Sequence, residues 1–159
     1  MLKDPTPRKA IEFAVKTEEA GAIFYRKIAR RFADDKGIHD IFINLAEDED
    51  RHKAQFEKLM ERVPPEFAYK SQPERLAVLQ ATSMSEFFLG EDGIFRNLEL
   101  IKSREDAIRR ALRLEQDTLS YYQAIRDLIG KNSTVDAMIR AEKNHIATLL
   151  SRMDWISVF

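Results

Sequence analysis

The sequence predicts an all-α protein built as a bundle of four long helices, and three observations carry that prediction. Four segments repeat apolar residues at the 3.6-residue spacing of an amphipathic helix. Only five Gly and five Pro occur in 159 residues, too few for a turn-rich β fold. The chain is 33% charged and 44% hydrophobic, a balance suited to helices with one wet and one dry face. Its length is that of one domain, taken here as residues 1–159.

The first helix opens at Thr6-Pro7, a capping residue before a proline at the first helical position. Its inward stripe is Ile11, Ala14, Glu18, Ala22, Tyr25, Ile28 and Phe32, and Lys36-Gly37 reads as its stop. The second carries Ile38, Ile41, Leu45, Glu49, His52, Phe56 and Leu59 and ends at Pro64-Pro65. The short link makes the two antiparallel neighbours. Ser103 with Asp106 forms a capping pattern for the third helix, whose stripe is Ile108, Leu112, Glu115, Tyr122, Ile125 and Ile129, closed by Gly130. Ser133 with Asp136 repeats the pattern, and the fourth helix presents Val135, Met138, Glu142, His145, Leu149 and Met153.

The hairpins therefore span about 7–62 and 104–153, with a crossover over about 63–102 in which Pro73 to Phe88 can add a short helix. A bundle with one long connection between its second and third helices has the ferritin-like arrangement, two antiparallel helix hairpins joined by a long crossover.

Ionisable residues interrupt each stripe at its middle: Glu18, Glu49 and His52 in the first hairpin, Glu115, Glu142 and His145 in the second. Burying them without partners would be expensive. Glu49 to His52 and Glu142 to His145 share the spacing Glu-x-x-His, which sets both side chains on one helix face. Composition alone would yield roughly 0.3 such pairs, and two occur. Glu18 precedes Tyr25 by the interval that separates Glu115 from Tyr122, so the hairpins look like an internal repeat. Two hairpins related by a pseudo-two-fold axis would converge four Glu and two His on two adjacent metal sites. Four carboxylates balance two divalent cations, and without metal the same carboxylates repel one another. Tyr25 and Tyr122 are candidate helpers in catalysis, their hydroxyls hydrogen-bonding the metal-binding carboxylates. In the run Glu47-Asp48-Glu49-Asp50 only Glu49 fits the ligand spacing, and the other three read as a solvated face.

With Glu18 to Tyr25, Leu45 to His52, Leu114-Glu115 to Tyr122 and Ala141 to His145 in view, the chain resembles the rubrerythrin-like branch of the ferritin-like di-iron carboxylate superfamily. The resemblance covers all four helices. It implies two bridged iron ions held by Glu18, Glu49, His52, Glu115, Glu142 and His145, although Mn and Zn accept the same ligands. It also implies an oxidoreductase acting on hydrogen peroxide or dioxygen, with electrons returned by an external donor. Ferritin-like iron handling by a ferroxidase is the alternative within the family, and a metal-free helical interaction module the alternative outside it. Rubrerythrins usually append a cysteine-rich rubredoxin domain, absent here, and carry a further Glu one turn after the third-helix Glu, where this chain has Thr118.

Other classes fall away on composition. No cysteine means no disulfide, thiolate zinc site, iron–sulfur ligation or cysteine nucleophile. A formal charge of −1 offers no basic excess for nucleic acid. No apolar stretch approaches about 18 residues and no secretory signal opens the chain, so no membrane association and a cytoplasmic location are expected. Phe87, Phe88, Phe95 and the tail Trp155 to Phe159 are apolar bulk suited to a homodimer contact.

Overall fold

The computed structural model describes residues 7–63 and 97–157. Among them four long helices form the bundle: α1 (Pro7–Arg31), α2 (Lys36–Arg62), α3 (Arg104–Ile129) and α4 (Ser133–Ser157), with a 3-10 turn over Leu98–Leu100 before α3. The protein is an all-α four-helix bundle, as the hydrophobic periodicity predicts.

Side-chain chemistry at the helix ends sets the boundaries, and it differs from the expected signals at two places. Lys36-Gly37 does not stop α1. Asp35 accepts a hydrogen bond from the Ile38 backbone N–H at 3.3 Å and so caps α2, which takes Gly37 into its first turn. Ser133 does not cap α4 either. Asn132 Oδ1 accepts from the backbone N–H groups of Thr134 and Val135 at 3.0 and 3.1 Å, and Ser133 becomes the first helical residue. Ser103 caps α3 as expected, accepting from Asp106 N at 3.0 Å. Gly130 ends that helix with φ at +80°, a conformation that favours glycine.

Helix direction follows from cross-helix contacts. α1 packs against α2 and α3 against α4, and the hairpins meet through α1 with α3 and α2 with α4. Tyr25 meets Glu115 while Tyr122 meets Glu18, so α1 and α3 run antiparallel. His145 meets Asp48 while His52 meets Glu142, so α2 and α4 do too. Consequently α2 and α3 run parallel. Arg104 at the start of α3 pairs with Asp35 at the start of α2, N to O 2.9 Å, and Arg31 donates to the Leu98 carbonyl just before α3. The link from α2 to α3 must therefore travel the length of a 26-residue helix, about 39 Å at 1.5 Å per residue. That is the topology the long crossover implied. The proposed short helix at Pro73 to Phe88 lies outside the described residues, as do Phe87, Phe88, Phe95 and the side chains of the tail.

The expected stripes face inward. Ile11, Ala14, Ala22, Tyr25, Ile28, Leu45, Phe56, Leu59, Ile108, Leu112, Tyr122, Ile125, Val135, Met138 and Leu149 are all buried. All of these but Ala22 fall into two hydrophobic clusters. One gathers Phe24, Ile28, Phe42, Leu45, Ile108 and Leu149, and the other Ile11, Phe56, Tyr121, Tyr122, Ile125 and Met138. The polar residues of the stripes lie in the layer between them, shielded from water on both sides. None of the described helices is long and apolar enough to cross a membrane.

Candidate metal centre

All six residues singled out in the stripes are buried and converge. Glu18 and Glu142 are 0% exposed, Glu115 1%, Glu49 4%, and His52 and His145 7% each. Each Glu-x-x-His pair enters from one face of α2 or α4, and α1 and α3 each add one Glu. Two overlapping groups result, Glu18, Glu49, His52 and Glu142 on one side and Glu49, Glu115, Glu142 and His145 on the other. Within each group the ligating atoms lie within 4.8 Å of one another, a spacing that can hold a metal ion. Glu49 and Glu142 belong to both, so the helices that carry histidines also carry the shared carboxylates. Glu142 shows how: Oε1 lies 3.3 Å from His52 Nδ1 and Oε2 lies 3.4 Å from His145 Nδ1. The two imidazoles stack with ring centroids 5.6 Å apart.

Tyr25 and Tyr122 complete the layer in a crossed pattern. Tyr25 of α1 donates its hydroxyl to Glu115 Oε1 of α3, and Tyr122 of α3 donates to Glu18 Oε1 of α1. Each outer carboxylate thus has one oxygen tied down by a tyrosine and the other aimed at the centre. Burial pushes both phenols well up, and the surrounding carboxylates add to the effect, so they stay protonated donors at neutral pH.

Without metal, protons and imidazolium charge offset the crowding of carboxylates. Burial and neighbouring carboxylates raise Glu49 well above the usual carboxylate range. Burial, with Glu142 beside it, does the same to Glu115. Burial also opposes the charge on Glu142, but Glu115, His145 and His52 around it outweigh that and hold it below the usual range. For the histidines burial opposes the charged form, and the carboxylates outweigh it. Glu142 and Glu18 lift His52 to about 9, and Glu115 and Glu142 lift His145 to about 10.

The arrangement nevertheless leaves polar atoms unsatisfied. Glu18 Oε2, Glu49 Oε1, His52 Nδ1, Glu115 Oε2, both Glu142 oxygens and His145 Nδ1 are buried without a hydrogen bond of good geometry. A buried unpaired polar atom costs about 1–3 kcal/mol, more when charged. These are the atoms that face the shared centre, and their chemistry, carboxylate oxygen with imidazole nitrogen, suits Fe, Mn or Zn. The residues fit a pair of metal ions.

Two contributors escaped the sequence reading. Asp48, read as part of a solvated acidic face, places Oδ2 2.9 Å from His145 Nε2 and pairs with Arg51. Spacing marks only Glu49 in that acidic run, so Asp48 is singled out by the packing of α2 on α4 alone. Gly21 lies under Glu49, where a Cβ would come within 3.3 Å of Oε2. Here a signal existed, since glycine inside a helix costs about 1 kcal/mol against alanine and implies a local need. Thr118 is buried on α3 one turn after Glu115 and brings no carboxylate to the layer.

Fold and site together define a ferritin-like bundle with a buried carboxylate and histidine cluster between its two helix hairpins. The rubrerythrin family model matches residues 9–153, and the chain belongs to that family. Comparison with curated proteins and with solved structures gives no match.

Proposed function

We propose that this protein is a di-iron carboxylate oxidoreductase that reduces hydrogen peroxide or dioxygen with electrons from a separate donor, working in the cytoplasm. The observation that carries the reading is the pair of overlapping four-residue groups, buried, with Glu49 and Glu142 common to both. In this reading Glu18 and His52 would hold one ion, Glu115 and His145 would hold the other, and Glu49 and Glu142 would be available to both. When bound, a redox-active iron pair supplies the two electrons that, with two protons, convert one peroxide into two waters.

The chain's own residues do the rest. Tyr25 and Tyr122 fix Glu115 and Glu18 by hydrogen bonds, which keeps one oxygen of each directed inward. The two apolar clusters flanking the layer exclude water, which strengthens every electrostatic contact inside. His52 and His145, held as imidazolium in the metal-free protein, would each give up a proton to serve as ligands, so loading would release protons.

The deciding experiment is anaerobic loading with ferrous iron followed by elemental mass spectrometry and rapid mixing with peroxide or air. About two metal ions per wild-type chain, lost in a His52→Ala, His145→Ala double variant, are expected. Oxidation by peroxide and repeated turnover with an added reductase should follow. A wild type without bound metal overturns the reading, and one that oxidises iron once without turnover supports iron handling instead.

A further inference from the structure

The two halves of the cluster differ in the partners of their histidines. His145 turns Nδ1 toward Glu49, Glu115 and Glu142, at 3.8, 3.5 and 3.4 Å, and presents Nε2 to Asp48 Oδ2 at 2.9 Å. The other oxygen of Asp48 pairs with Arg51, one turn further along α2. The repeat that carries Glu49 onto Glu142 and His52 onto His145 carries Asp48 onto Ala141. The residue placed to serve His52 therefore offers only a methyl group. Among the described residues, His52 meets carboxylates through Nδ1 alone, from Glu18 and Glu142.

That difference has a thermodynamic consequence for metal binding. A carboxylate that accepts from the outer N–H of an imidazole fixes the tautomer with its lone pair on the inner nitrogen, holds the ring in place and makes it a better ligand. An imidazole lacking such a partner must be ordered by the metal itself, which weakens the site.

We infer that Asp48 is a positioning residue that makes the two metal subsites unequal. Glu49, Glu115, Glu142 and His145 hold the first divalent ion tightly, and Glu18, Glu49, Glu142 and His52 hold the second as the weaker, exchangeable one. The inference rests on the metal-site reading above and adds an order of filling to it.

The test is anaerobic titration of metal-free protein with Co(II), followed by visible absorption and heat. Wild type should bind in two steps, with His145→Ala losing the tight step and His52→Ala keeping it. Asp48→Ala, with its helical circular dichroism intact, should weaken the first step roughly 10–100-fold. Ala141→Asp, which leaves Asp48 in place, should tighten the second step. In the zinc-loaded protein, proton NMR should show one imidazole N–H protected from exchange, absent in Asp48→Ala. An unchanged first step in Asp48→Ala, an unchanged second step in Ala141→Asp, or a tight step that survives His145→Ala overturns the inference alone. A wild type that takes up no cobalt overturns the metal-site reading and the inference together.

Discussion

At the scale of single residues, the centre depends on groups whose roles are separable. Tyr122→Phe keeps the ring that packs 4.9 Å from Phe56 but leaves Glu18 Oε1 without its donor. A loss of about 1–3 kcal/mol is expected in denaturant unfolding of the metal-free protein, and Tyr25→Phe should match it through Glu115. Either variant as stable as wild type would show that these hydroxyls do not hold the carboxylates. Gly21→Ala sets two effects against each other. Alanine favours the helix by about 1 kcal/mol, yet its Cβ must move Glu49, a carboxylate common to both groups. Metal affinity should fall while the metal-free protein keeps or gains stability, a split read by titration beside urea unfolding.

Each helix carries its own start and stop instructions, and the exceptions are instructive. Gly37 and Gly130 follow similar sequence cues, a basic residue nearby and the end of an apolar stripe. Only Gly130 has positive φ, and a Cβ there would meet nothing within 4 Å, so its constraint is conformational alone. Gly130→Ala should destabilise the protein by about 1–3 kcal/mol. Gly37 lies in the first turn of α2, where an added Cβ makes ordinary contacts. Gly37→Ala should therefore be neutral or stabilise by up to about 1 kcal/mol. Thermal melts of the two variants check the assignment, and equal losses would mean that Gly37 does terminate α1. The ambiguity in sequence arises because Asp35, Asn132 and Ser133 are all competent caps, and only the backbone N–H groups that Asp35 and Asn132 meet tell which of them act.

For the whole molecule, the protons held in the metal-free cluster tie stability to pH. His52 and His145 have folded-state values near 9 and 10 against about 6.5 when unfolded. Their contribution is complete below about pH 6.5 and disappears as pH rises through 9 and 10. Glu49 and Glu115, also raised, push in the same direction above the ordinary carboxylate range. The metal-free protein should melt at progressively lower temperature between pH 6.5 and 10. Metal-loaded protein should lack that decline, because its ligands have already surrendered their protons. A metal-free melting temperature that is flat or rises over this range would contradict the charge assignment.

Sequence by itself determined the helices, their inward stripes, the antiparallel hairpins and the six residues that meet at the centre. It could do so because helical periodicity is local, and because Glu and His at the middle of an apolar stripe are costly anywhere but in a shared polar layer. Tertiary structure alone decided which carboxylates are common to both groups, since Glu18, Glu49, Glu115 and Glu142 are equivalent in a list and differ only in where their helices stand. It alone crossed Tyr25 to Glu115 and Tyr122 to Glu18, and drew Asp48 out of an acidic run to meet His145. Those are contacts between residues 90 or more positions apart. Their existence depends on the rotation and depth of one helix against another, quantities that packing of the two hydrophobic clusters sets and that no local spacing encodes.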